Sequence, residues 1–272
     1  MPALIFSTGN PDGKLGAASR PGSAGVVEVE SADDFVLTSP TLLTGATFTG
    51  LITGGGSIGQ VGVEFYRVFP VDSDVGRTSG PPTFSTAEVP TRVNSPSDVE
   101  FVGRDTTASN LTFSSSVITA TFTASNSISA TGIHALPVTV TGGNGAVTGA
   151  EVQFTVTFTN PVLLPADHYF FIPQVAVTGG DFYWLSAPRP IVAPGTAFPA
   201  GSTDLQAWIR NANLDPDWLR MGTDIIGGSP APTFNMTFAL VGTEVPEPST
   251  FWMLGFALVM GGAVARRKLQ LG

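Results

Sequence analysis

The sequence predicts an all-β fold: a jelly-roll-like antiparallel β-sandwich with two short helical insertions and a C-terminal transmembrane helix. Three observations carry this. Glu151 to Thr159 alternate apolar with polar residues, which puts Val152, Phe154, Val156 and Phe158 on one strand face. Gly (32) and Pro (22) are plentiful, and they punctuate short strands as turns. Charged residues make up 12% of the chain against 42% hydrophobic, so a core can form while Thr, Ser, Asn and Gly build the surface.

From the N-terminus, strands are predicted at Val26–Glu30, Phe35–Thr38 and Ala46–Ile52. Val61, Val63, Phe65 and Phe69 continue the pattern, with Arg67 as an interruption. Ser116–Thr123, Glu151–Thr159, His168–Val177 and Phe182–Leu185 follow. Thr233–Leu240 closes the series, with Phe234, Met236, Phe238 and Leu240 on one face. One apolar and one polar face per strand marks antiparallel sheets, and short strands with frequent turns mark a sandwich. Two short helices are predicted before the last strand. Thr203 and Gln206 have capping-box spacing, and Leu205, Trp208 and Ile209 would share a helix face. Asp215 can cap a second helix, with Pro216 at its first position and Gly222 at its end. The long connections Asp72 to Pro96 and Pro188 to Gly201 carry Arg, Phe or Val able to dock on the body.

Composition excludes several functions. The chain has 272 residues and net charge −9, and three of its 12 cations are Arg266, Arg267 and Lys268. No basic stripe remains to neutralise phosphates, so nucleic acid is not an expected partner. Cysteine is absent, which excludes disulfides, thiolate chemistry and Cys-ligated metal. Met1 to Phe6 is a brief apolar stretch with no cation before it, unlike a secretory signal peptide. The expected reading is that numbering starts near the mature N-terminus.

Candidate chemistry is sparse, and no cofactor is expected. Gly54 to Gly59 match the dinucleotide pattern at Gly54, Gly56 and Gly59, and the nucleophile-elbow pattern at Gly55, Ser57 and Gly59. Both motifs need a helix to follow, but the strand-like Gln60–Phe65 follows, so a Gly-rich hairpin loop is expected. The two histidines are His134 and His168. Asp167 precedes His168 in a strand and so points to the other face, which makes it a poor orienting group. Asp72 and Asp74 begin like a calcium loop without the later bidentate Glu, and Arg77 lies near enough to pair. They are the weak metal candidates beside a reading as solvated turn carboxylates, and Asp215 and Asp217 fit the latter reading too. Tyr169, Tyr183, Trp184, Trp208 and Trp218 fit core packing, or else an exposed platform for stacking sugars.

The C-terminus is the most informative segment. Val245-Pro246-Glu247-Pro248 is followed by an uncharged apolar run from Phe251 to Ala265 and then by Arg266, Arg267 and Lys268. Proline on both sides of Glu247 keeps that motif out of strands and helices, open to a processing enzyme. The run is short against the roughly 20 residues of a comfortable helical span. Motif, run and cations together resemble the PEP-CTERM sorting signal of exported bacterial proteins. The resemblance implies a sorting motif at Pro246, Glu247 and Pro248, with exosortase as partner. It also implies transient insertion of residues 251–265 in the inner membrane, stopped by Arg266, Arg267 and Lys268. The domain division is then residues 1–243 as a β-sandwich ectodomain and 244–272 as the tail.

The ectodomain is also similar to a group of secreted PEP-CTERM proteins. Phe65–Pro70, Thr78–Phe84, Leu164–Phe171 and Trp208–Ala212 carry that resemblance, which implies no reaction. The expectation is an exported, non-catalytic protein of the cell envelope or extracellular matrix, in contact with extracellular polysaccharide. The alternatives are a secreted carbohydrate-binding module or carbohydrate-active enzyme, and a permanently anchored surface protein.

Overall fold

The computed structural model describes residues 2–73 and 87–246. The strands are β1 (Ala3–Ser7), β2 (Leu15–Ala18), β3 (Val29–Leu37), β4 (Thr41–Ile52), β5 (Ser57–Val68), β6 (Pro96–Asp105), β7 (Leu111–Ala124), β8 (Asn126–Ile128), β9 (Val147–Leu164), β10 (Asp167–Thr178), β11 (Phe182–Ala187), β12 (Trp208–Asn211), β13 (Leu219–Arg220), β14 (Asn235–Met236) and β15 (Phe238–Glu244). They form two sheets, a mostly β architecture consistent with the expected sandwich. Strands β13-β12-β3-β10-β5-β6 form a six-stranded sheet. The nine-stranded sheet is built around β4. One edge of β4 pairs with β9, which in turn pairs with β7. The other edge is shared by β15, which leads to β1, and β11, which leads to β2 and β8. All these pairings are antiparallel except β2 with β8. Two unequal sheets with a forked edge exceed the eight strands of a simple jelly roll.

Aromatic side chains fill the space between the sheets. Phe171 of the six-stranded sheet stacks on Phe238 of the other, with ring centroids 5.0 Å apart. Phe65 meets Phe158 edge-on at 6.2 Å, and Phe48 stacks on its neighbour Phe154 at 4.9 Å. Val152, Phe154, Val156 and Phe158 are all buried there, as are Phe234, Met236, Phe238 and Leu240. Both predicted strand faces therefore enter one core. The six-stranded sheet is covered on its outer face too. Ala32, Tyr66, Phe170, Ile172 and Trp208 of that face bury against Leu205 and Trp218 from the segments flanking β12.

This double coverage explains the main correction to the sequence reading. The two predicted helices before the last strand do not form. Trp208 and Ile209 lie in β12, paired with β3, and enter opposite sides of the sheet. Leu205, Trp208 and Ile209 are all buried, so their spacing looked helical although they line two faces of a strand. Residues 203–207 adopt no regular structure, and Gln206 instead accepts a hydrogen bond from Thr223 at 3.0 Å. The second predicted helix, Asp215 to Gly222, is replaced by a turn leading into β13. Asp215 accepts from Arg210 at 2.7 Å rather than capping a helix. The helical elements among the described residues are a 3-10 turn at Ala130–Gly132 and a π-helical turn at Met221–Ile226.

The glycine run also differs from expectation. It turns the chain at Gly54 (φ 65°) and Gly55 (φ 67°), but β4 and β5 belong to different sheets, so it is a crossover, not a hairpin. A Cβ on Gly54 would lie 2.6 Å from the Gly179 carbonyl oxygen, so close packing also requires glycine there. No helix follows, and neither chemical motif is built.

Candidate functional site

Two places bear on function: the exit of the chain toward its tail, and a cleft of carboxylates on the six-stranded sheet. At the exit, β15 stays paired with β4 up to Glu244 opposite Thr41. The Val245 amide then donates to the Pro40 carbonyl at 2.7 Å. Glu244, Val245 and Pro246 are exposed. Pro246 therefore follows the last backbone tie of the sandwich directly, with no spacer. Glu247 and Pro248, the apolar run 251–265, and Arg266, Arg267 and Lys268 lie outside the described residues. Among the described residues no helix is long and apolar enough to cross a membrane, and the expected transmembrane helix falls in the undescribed segment.

The cleft lies on the outer face of the six-stranded sheet and has a volume of about 390 Å³. Glu28, Glu64, Glu100, Asp105, Arg104 and Gln174 supply its polar lining. Strand alternation aims them: Val61, Val63 and Phe65 turn into the core, which sends Glu64 and Tyr66 outward. Burial, helped by the nearby Glu30 and Glu100 carboxylates, pushes the Glu64 carboxyl up to about 9. Burial and Glu30 also raise Glu100. Behind the cleft, Arg210 grips Glu30 through two guanidinium nitrogens and donates to Asp215 at 2.7 Å. Its guanidinium lies 4.3 Å from the centroid of the Trp218 ring. The Tyr66 hydroxyl sits 3.1 Å from Glu30 Oε1 and 3.2 Å from Glu64 Oε2. Burial first, then these two carboxylates, hold the phenol far above its usual range. This chain of bonds spans 180 residues of sequence between Glu30 and Arg210.

Other ionic groups tie layers together. Arg92 is fully buried; it donates to Asp217 at 2.8 Å and to the Ser95 hydroxyl at 2.9 Å. Asp33 and Asp34, adjacent in β3, face opposite sides. Asp33 accepts the Met236 amide at 2.7 Å across the core, and Asp34 accepts the Leu205 amide at 3.1 Å. His168 Nε2 lies 2.6 Å from Asp34 Oδ2, so the group beside His168 is Asp34, not its sequence neighbour Asp167. Burial raises Asp33 well above the ordinary carboxylate range, and raises Asp34 to about 6 against the pull of His168.

The remaining predicted residues are placed as follows. Asp72 lies 3.4 Å from Arg67 Nε, whose guanidinium also sits 4.5 Å from the centroid of the Phe101 ring. The expected partner Arg77 and the second calcium candidate Asp74 lie outside the described residues. Among the described residues no group of three acidic or histidine side chains could hold a metal ion. Tyr169, Trp184, Trp208 and Trp218 are buried and Tyr183 is half-buried, so these rings form no sugar platform. Sequence reasoning missed Glu30, Glu64, Tyr66, Glu100 and Arg210. One signal existed. In a chain with so few charges, Glu64 and Arg67 lie within a predicted strand pattern and had to be partnered or face a cleft, whereas Arg210 sat beside a stripe that looked helical.

Compared with known proteins, residues 244–268 match the family model of the PEP-CTERM protein-sorting motif. No curated protein and no solved structure matches the chain. The matched segment begins at the last residue of β15, so the sorting motif starts where the folded body ends. The chain therefore carries a PEP-CTERM protein-sorting motif at its C-terminus, the mark of an exported protein sorted by exosortase.

Proposed function

We propose that this is a non-catalytic surface protein of the cell envelope or extracellular matrix, released from transient membrane anchorage by exosortase. The observation that carries the reading is the join between body and signal. The Val245–Pro40 bond closes the sandwich one residue before Pro246. Pro246, the first residue of the Pro-Glu-Pro motif, is then exposed at the end of the body, where a processing enzyme can reach it. The buried ionic groups support the non-catalytic part of the reading. Arg92, Arg210, Asp33 and Asp34 each bond to segments distant in the chain, as structural ties do. The test is Glu247→Ala with Pro248→Ala in a host carrying an exosortase. Insertion is expected to persist, because the apolar run and its cations remain, and release is expected to stop. Release equal to wild type would leave a simple anchor as the better account.

A second reading, a carbohydrate-active enzyme, is favoured by one observation. Burial pushes the Glu64 carboxyl up to about 9, while the Thr107 hydroxyl holds the Asp105 carboxyl of the same cleft below its ordinary value, and glycoside cleavage uses two carboxyls set apart in this way. Glycan hydrolysis that is lost in Glu64→Gln would establish it.

A further inference from the structure

The edges of the two sheets are protected unequally. β6, one edge of the six-stranded sheet, carries Pro96, Asp98, Glu100, Arg104 and Asp105. β13, its other edge, is two residues long. In the nine-stranded sheet β1 has five residues and β8 has three. Charges, proline and shortness are the usual devices that stop a sheet edge from pairing with another chain. β7 has none of these three, and its bulge-like register shifts against β9 fall only after Val117. It is 14 residues long, and among the described residues it pairs with β9 alone. Ser114 to Thr121 are exposed without interruption, on both faces.

The surroundings of β7 carry the second observation. No Asp, Glu, Lys or Arg occurs from Thr106 to Ala150, in a chain of net charge −9. Val117 and Ile118 of β7, with Leu136, Val138 and Val140 of the same uncharged segment, are exposed large apolar residues. Beside the edge, Val117 and Ala120 join Ile52, Ile58 and Val152 around a groove of about 460 Å³. Two acidic copies repel each other over most of their surface, and here they can meet without that cost. The strand is also compatible with itself. An antiparallel pairing of two β7 strands about Ser114 and Ser115 opposes only Ser, Thr, Val and Phe113 and no like charges.

We infer that the free edge of β7 pairs with β7 of a second copy, joining two nine-stranded sheets into one across a two-fold axis. Register shifts interrupt β7 between Val117 and Thr119 and again before Phe122, while the ladder from Leu111 to Val117 is regular. The pairing segment is therefore Thr112–Val117, with the axis near Ser114 and Ser115.

The chain has no cysteine, so a single introduced thiol reports cleanly. The experiment uses the full chain in detergent with Ser114→Cys, Ser115→Cys or Ser116→Cys, oxidised and read on non-reducing gels. Ser229→Cys, an exposed site outside the uncharged segment, reports collision and tail-driven association. The expected result is a disulfide-linked dimer at the β7 sites, absent at Ser229→Cys. It should be lost when Ser114→Lys and Ser116→Lys are added to Ser115→Cys, with an unchanged thermal melt. No dimer at β7, equal dimer at Ser229→Cys, or a dimer indifferent to the lysines would each overturn the inference. A monomer that binds some other chain at this edge would overturn it as well.

Discussion

Arg210 has exchanged water for Glu30, Asp215 and the face of Trp218. Removing one partner of a buried pair leaves the other charge unsatisfied, so Arg210→Ala is expected to cost about 3–5 kcal/mol in urea unfolding. Replacing both, Glu30→Met with Arg210→Met, should restore most of that loss, because no stranded charge remains. Glu64 gives a pH signature. Its folded-state value of about 9 lies above the ordinary 4.5, so the folded protein keeps a proton that the unfolded chain releases. That contribution is fully present below the unfolded value and is lost as pH rises through the folded one. Wild type should therefore lose stability between pH 4.5 and about pH 9, and Glu64→Gln should lose less. Equal loss in both would contradict the assignment. These residues were illegible in sequence for a physical reason: Glu30 and Arg210 meet only because β3 and β12 pair, and no local pattern announces that pairing.

At the scale of elements, legibility followed the number of buried faces. β9 buries one face and exposes the other over most of its length, so its alternation could be read directly. Phe234 to Leu240 could be read for another reason: Asn235 and Thr237 on the second face are buried too, but they are polar, so the apolar alternation of Phe234, Met236, Phe238 and Leu240 survives in sequence. β12 is buried on both faces, so alternation vanished, and Leu205, Trp208 and Ile209 imitated a helical stripe. The strand assignment makes a prediction of its own. Phe154→Ala should cost about 3–5 kcal/mol in chemical denaturation, since Phe48 and Phe182 lose their ring partner. A change under about 1 kcal/mol would mean that β9 does not present this face to the core.

For the whole molecule, the body closes on itself just before Pro246. β1 and β15 pair near the two ends of the described chain, and the Val245 amide makes the last tie. Residues 2–246 alone should therefore give a cooperative thermal melt, and a soluble but non-cooperative product would show that the tail contributes to the core. The sorting tail was legible because its information is linear: a proline-flanked Glu247, an apolar run and terminal cations in order. The sandwich was legible as a class but not in its topology, since the forked sheet around β4 depends on partners far apart in the chain. The central claim is that this signal releases an otherwise self-sufficient body. Its most direct test is the C-terminal peptide of the mature protein, identified by mass spectrometry from hosts with and without an exosortase. Loss of Phe251–Gly272 only where the exosortase is present is the expected result, and retention of that segment in both hosts would contradict it.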